Sequence, residues 1–230
     1  MKDPTINNPA VGLNAIYEHR FSEKDRTSKD RIWKVLVSSF FQKFVRPSDT
    51  VLDLGCGVGE FLRHIQCSRR IGVDADAGNA RTLPGQIEFH VGSICDLAFL
   101  PDASVDMVFS SNVLEHLGNK EAVAQAIGEA WRVLRPNGRI VLMGPNLRLL
   151  LGCYWDFWDH VVPITDRSLT ELLEITGFHV QVCYSRFLPY TTRSSMPQMP
   201  WMVWLYLKLS PMWWVLGRQF LVVASKGVRK

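Results

Sequence analysis

The stretch Asp53-Leu54-Gly55-Cys56-Gly57-Val58-Gly59-Glu60 sets three glycines at alternate positions between carboxylates. Glycine permits a tight turn and lets a ligand approach the backbone closely. Placed after a first strand, such a turn aims backbone N–H groups and a helix start at the switch point of an open sheet. A dinucleotide turn would need glycine where Glu60 stands, and its pyrophosphate would meet Asp53 and Glu60, where negative charge is unwelcome. The spacing suits a ligand with an ammonium and a sulfonium instead: Asp53 meets the amino group, directly or through water, and the glycine amides meet a carboxylate. Asp74 lies 19 residues beyond Gly55 at the end of the next apolar run. A carboxylate there can accept both hydroxyls of a ribose. A plain tight turn with capping acids would use the same residues.

Positioning these groups requires strands that end at one edge. Thr50–Leu54, Arg70–Asp74, Ile87–Val91, Val105–Phe109 and Arg139–Gly144 read as strands, and Gly59–Ile65 as a helix after the first. Apolar residues Val123, Ala126, Ile127, Ala130, Trp131 and Leu134 recur at three and four, giving a helix over Asn119–Leu134 that Pro136-Asn137-Gly138 stops. Asp166 or Thr165 caps a further helix through Ile175 that ends at Gly177. Phe178–Tyr184 and Phe220–Ala224 supply two last strands, joined without a regular crossover helix and therefore expected to be antiparallel. Ile32–Val45 reads as an amphipathic helix behind a polar arm over Val11–Arg31. The expected organisation is one domain: arm and helix over 1–45, core over 46–186, aromatic insertion over 187–217, and last strand with tail over 218–230.

Composition narrows the function classes. The chain has 230 residues, 47% of them hydrophobic, and a net charge of +4. The basic clusters Ser68–Arg70 and Lys226–Lys230 make no broad basic face, so no nucleic-acid partner is expected. The five cysteines form no C-x-x-C pair, which excludes a disulfide framework or a cysteine-rich zinc site as the organising feature. A polar start without an apolar signal core points to a cytoplasmic setting. Pro200–Gly217 is almost wholly apolar and holds four of the eight tryptophans, interrupted by Lys208 and Pro211. It reads as a pair of short helices resting on the inner face of a membrane, as a lid on the core, or as an oligomer contact.

Taken together these motifs resemble the class I S-adenosylmethionine-dependent methyltransferases. Val51–Phe61 is similar to their first motif, Ile71–Asp76 to their acidic second, and Val91–Leu97 to their adenine-contact loop. Ser110–Leu117 resembles their fourth motif and Arg132–Pro145 their fifth, so the likeness is close from Leu52 to Gly144. It implies a Rossmann-like, doubly wound α/β sheet of seven mostly parallel strands, the last antiparallel and preceded by an aromatic-rich insertion. The implied cofactor is S-adenosyl-L-methionine, held by Asp53, Gly55, Cys56, Gly57, Asp74, Ala75 and Asn112. Many relatives carry aspartate where Ser93 stands, so adenine recognition falls to the Ser93 hydroxyl or the Ile94 amide. Arg20, with Tyr17 and Phe21 in the arm, is placed to fold over the cofactor near its carboxylate. A binding protein that keeps this fold without catalysis remains the third class, after enzymes acting on small acceptors and those acting on RNA or protein.

Methyl transfer from a sulfonium is an in-line displacement, so positioning and exclusion of water dominate. A hydroxyl acceptor also needs its proton removed. His116 follows the fourth strand, where in this family a histidine packs over the cofactor; it serves as that shelf or as a base. His160 is the first candidate for base. Some quinone-type relatives hold a divalent metal in this segment; Asn112 takes one acid position, leaving Glu115 and His116, and no metal is expected. The long connection after the fifth strand offers Arg148, Tyr154, Trp155, Asp156, Asp159 and His160, a mix that suits a sugar or alcohol, or else a packed helix pair. Tyr190 and Arg193 follow the sixth strand and suit an anionic acceptor, or an ordinary turn. Tyr154–His160 and Phe187–Thr192 resemble bacterial methyltransferases associated with surface-polysaccharide and glycosylation loci. The acceptor is therefore expected to be a sugar hydroxyl of a glycan or of a lipid- or nucleotide-linked saccharide, with a quinone or natural product as the alternative.

Overall fold

A computed structural model describes residues 23–190 and 199–227. Its frame is a seven-stranded sheet of order β3-β2-β1-β4-β5-β7-β6. The strands are β1 (Thr50–Leu54), β2 (Arg69–Asp74), β3 (Ile87–Val91), β4 (Val105–Ser111), β5 (Leu134–Pro145), β6 (Phe178–Tyr184) and β7 (Gln219–Lys226). The first five run parallel, while β7 pairs antiparallel with both β5 and β6. The expected α/β sheet with an antiparallel last strand is thus the observed one.

Alternation along the central strands builds two cores, because successive side chains leave a strand on opposite faces. Leu52 and Leu142 join one apolar cluster with Ala126, Ile127 and Ala130 of helix α2 (Lys120–Val133). Leu169 and Leu173, of helix α4 (Asp166–Thr176), pack into that same cluster. Their neighbours Val51 and Val141 join the other, with Leu36 and Val37 of helix α1 (Glu23–Ser39). Phe61 stacks on Phe109 within this second cluster, ring centroids 3.9 Å apart. Burying each large apolar side chain contributes about 1.5–3 kcal/mol, and coverage of both faces explains why Val51, Leu52, Asp53 and Leu54 of β1 are all buried.

The caps lie where the sequence puts them. The Asn119 side chain accepts from the Ala122 amide at 2.8 Å, and Thr165 with Ser168 closes a capping box on α4. Gly177 ends α4 at φ +101°, a left-handed conformation that glycine adopts without strain. Three local expectations change. Gly59–Ile65 is a run of turns rather than a regular helix; Arg63 N–H reaches Gly59 O and Ile65 N–H reaches Phe61 O. Two such bonds do not offset the cost of helix nucleation in so short a segment. Helix α1 starts at Glu23, so residues 23–31 of the expected polar arm are helical, and it breaks before a 3-10 turn at Phe41–Phe44. Strand β5 begins at Leu134, directly after α2, and passes through Asn137 at φ +63° before its regular register with β4 begins at Arg139.

Candidate functional site

Three carboxylates gather at the carboxyl ends of β1 and β2. Asp53 is 3% exposed, and no described side chain donates a hydrogen bond to it. Burial, then the negative charges of Glu60 and Asp74, pushes its carboxyl well above the usual range. Glu60 is held by Lys29 of α1 at 2.8 Å. Asp74 accepts from the Gly57 amide at 2.8 Å, the Asp76 amide at 2.9 Å and Asn79 Nδ2 at 3.2 Å. The turn itself needs its glycines: Gly55 stands at φ +70°, and a Cβ there would lie 2.3 Å from Val113 Cγ2.

One expectation about the turn is corrected. The amides of Gly55 and Cys56 donate to Val73 O, that of Gly57 to Asp74, and that of Gly59 to Cys56 O. They close the turn rather than standing ready for a ligand carboxylate. Cys56 packs its thiol beneath the turn, where a side chain on Gly72 would meet it at 2.6 Å. Burial pushes that thiol up, so it stays protonated.

Further along the same edge, Ser110 Oγ donates to Leu54 O at 2.9 Å and ties β4 to β1. Asn112 follows at φ +55°, its amide donating to Met143 O. Its side-chain oxygen is buried with no hydrogen-bond partner among the described residues. Ala75 and Ser93 are exposed and Ile94 is buried. Ser93 Oγ accepts from the Cys95 amide at 3.1 Å, which leaves the hydroxyl proton for another partner. The buried carboxyl of Asp53 and the unpartnered Asn112 Oδ1 fit a ligand that brings an ammonium group. Arg20, Tyr17 and Phe21 lie outside the described residues, as does Arg193.

The loop after β5 brings the two histidines together. The amides of Val161 and Val162 both donate to Glu115 O, at 2.8 and 3.0 Å. This lays His160 against His116, ring centroids 5.1 Å apart. His116 Nδ1 sits 2.8 Å from Asp159 O and 3.4 Å from Asp159 Oδ2, so its Nε2 faces Glu115, 3.8 Å away. Burial, opposed by His116, raises the Glu115 carboxyl. His160 is itself buried, with Tyr190 Oη 3.4 Å from its Nε2. Glu115, His116 and His160 each offer a ligand atom, all within 4.8 Å of one another, a spacing that also suits a cation.

Beneath the loop lies a polar clamp. Asp166 accepts from Asn146 Nδ2 at 2.9 Å, Ser185 Oγ at 2.6 Å and Arg148 at 3.1 Å. Burial alone would raise the Asp166 carboxyl; these hydrogen bonds outweigh it and hold the group below its usual range. Several expected acceptor contacts therefore move. Arg148 braces the base of the loop, in a one-turn helix α3 (Leu147–Leu150). Tyr154 is fully buried, its hydroxyl donated to Val162 O, and Asp159 is buried behind His116. Trp155, Asp156 and Trp158 are exposed. Sequence reasoning named Glu115 only as a leftover metal ligand and missed its burial and the pairing of Asp159 with His116, because both arise from loop closure across more than 40 residues and have no local signature.

Residues 52–142 match the family model described as a methyltransferase domain. The chain is 35% identical over 140 residues to a probable S-adenosylmethionine-dependent methyltransferase of Mycolicibacterium smegmatis, covering 57% of this chain and 52% of that one. It is 28% identical over 142 residues to a demethylmenaquinone methyltransferase of Symbiobacterium thermophilum, covering 54% and 55%. Among solved structures, a SAM dependent methyltransferase from Archaeoglobus fulgidus superposes with a TM-score of 0.67 at 21% identity, over 94% of this chain and 100% of that one; it shares the fold. The chain spans about half the length of the first curated relatives it matches. The stretch holding the glycine turn, Asp74, Ser93 and Asn112 falls within residues 52–142, the part that matches the methyltransferase-domain model.

Proposed function

We propose that this chain transfers a methyl group from S-adenosyl-L-methionine to a hydroxyl of a saccharide, free or carried on a lipid or nucleotide. The observation that carries the cofactor half is the buried carboxyl of Asp53, set among the charges of Glu60 and Asp74, together with Asn112 Oδ1, a buried acceptor with no partner among the described residues. When bound, the cofactor supplies a methyl group on a cationic sulfur, a good leaving group. Asp53 holds the ammonium, Asp74 takes the ribose hydroxyls, and Ser93 with Ile94 borders the adenine.

On the acceptor side, Trp155 and Trp158 offer exposed aromatic faces and Asp156 an exposed carboxylate, groups that stack on and hydrogen-bond to sugars. His160 would take the proton of the acceptor hydroxyl, and the bound cofactor would supply the methyl group to the oxygen so freed. His116, oriented by Asp159, shares the charge that develops. Tyr190 holds His160 in place.

A small-molecule acceptor of quinone type is the second reading, favoured by the likeness to a demethylmenaquinone methyltransferase. Transfer of label from methyl-labelled cofactor to extracted glycolipid and to quinone precursors separates the two. Label in the glycolipid fraction is expected; label only in quinone precursors would overturn the saccharide assignment.

A further inference from the structure

Two short helices, α5 (Pro200–Lys208) and α6 (Ser210–Leu216), form a hairpin on the outside of the second core. Tyr206, Leu207 and Trp213 anchor it: Tyr206 Oη donates to Phe187 O at 2.6 Å, Trp213 Nε1 donates to Tyr206 O at 2.9 Å, and Trp213 packs edge-on against Phe187 and Phe40. Val203 and Leu216 also pack partly against that core, and much of the remainder turns outward. Trp201, Trp204, Leu205, Leu209, Trp214 and Val215 are all exposed, Trp214 to 77%. Large aromatic and aliphatic side chains grouped on one anchored element mark a contact surface rather than scattered surface residues.

Charge says what covers it. All 22 acidic residues of the chain lie at or before Glu174, beside 19 lysines and arginines; from Ile175 to Lys230 there are seven lysines and arginines and no acid. Around the hairpin, Lys208 is exposed, Arg218 flanks the end of α6, and the Arg186 guanidinium lies 5.9 Å from the Trp214 ring. A second copy is a poor partner, because a two-fold contact sets this face against itself and no carboxylate in the segment answers its cations. An anionic lipid surface answers both features: indoles settle among headgroups, and basic side chains meet phosphate. Spanning is ruled out for these elements, since helices of 9 and 7 residues reach only about 14 and 11 Å at ~1.5 Å per residue.

We propose that α5 and α6 dock this protein peripherally on an anionic phospholipid bilayer. The hairpin and the candidate acceptor site are joined through Phe187–Tyr190: Phe187 receives the Tyr206 hydroxyl, Pro189 O accepts from Gln219 Nε2 at 2.9 Å, and Tyr190 reaches His160. Docking thus brings the face that carries His160 toward a lipid-borne acceptor. Its lipid-linked consequence rests on the methyltransferase reading; the docking itself does not.

Flotation of the full chain with vesicles, without cofactor or acceptor, tests this independently of any turnover. Vesicles of phosphatidylcholine mixed with phosphatidylglycerol should carry the protein up, pure phosphatidylcholine should carry at least tenfold less, and raised salt should release it. The double variant Trp201→Ser, Trp214→Ser should lose about tenfold in vesicle binding while keeping the far-UV circular dichroism and cofactor affinity of the parent. Absence of binding to anionic vesicles at low salt, or equal binding to both vesicle types, would overturn the proposal. So would concentration-dependent dimerisation abolished by the double variant, which would assign the face to a second copy.

Discussion

Replacing Asp53 by asparagine should move stability and affinity in opposite directions. The native carboxylate is 3% exposed and lies between Glu60 and Asp74, with burial and then those two charges raising its proton affinity. The folded protein therefore binds this proton more tightly than the unfolded chain. Stability from this group is present below the unfolded carboxylate pKa and is lost as pH rises through the folded pKa. The amide of the Asp53→Asn variant has no charge to bury, so the ligand-free variant should melt above wild type at neutral pH, and the gap should close in acid. The cofactor ammonium, in contrast, loses a charge-assisted hydrogen bond in a nearly dry site. Such a bond contributes about 1.5–3 kcal/mol, so Kd for S-adenosyl-L-methionine should rise roughly ten- to 150-fold. Thermal unfolding across pH without ligand, with calorimetric titration at neutral pH, reads both. A variant that melts below wild type at neutral pH and binds the cofactor unchanged would refute the assignment of Asp53.

Two further outcomes follow from the same geometry. His160→Gln keeps most of the volume packed against Phe157 and Tyr154; it should leave cofactor binding intact, lower turnover by about 10²–10⁴ and remove the acid limb of the rate profile. Turnover at the wild-type level would remove His160 as base. Gly55→Ala combines φ +70° with a Cβ 2.3 Å from Val113 Cγ2 and should cost on the order of 1–3 kcal/mol in denaturant unfolding. An unaltered midpoint would show that the turn tolerates a side chain.

Much of the frame was legible because it rests on local chemistry. The run Thr50–Leu54 reads as a buried strand since both its faces are covered, and Asn119, Thr165 and Gly177 announce helix ends through their own side chains or backbone freedom. The Gly59–Ile65 segment misleads because its apolar spacing is right for a helix while only two of the three i-to-i−4 bonds its length allows are made, the His64 amide turning to Phe61 O instead. On the cofactor edge, Asp53 and Asp74 stood out by type and spacing and Asn112 only through the family resemblance, and β1 and β2 pair so that Asp53 and Asp74 reach one edge of the sheet. What the glycine amides bond to was not, since that depends on how Asp74 folds back over the turn. The acceptor side was least legible. Tyr154 and Arg148 are of types that bind sugars, yet a carbonyl at Val162 and a carboxylate at Asp166 claim them. Those partners become visible only once Leu147 has paired with Ile164 and closed the loop.

The central claim is that this edge of the sheet holds S-adenosyl-L-methionine, and calorimetric titration of the full chain with that cofactor tests it most directly. Wild type should show saturable binding of one molecule per chain. Asp74→Ala, which removes the group bonded to Gly57, Asp76 and Asn79, should bind at least tenfold more weakly. No heat of binding at millimolar cofactor, or equal affinity in the two proteins, would contradict it.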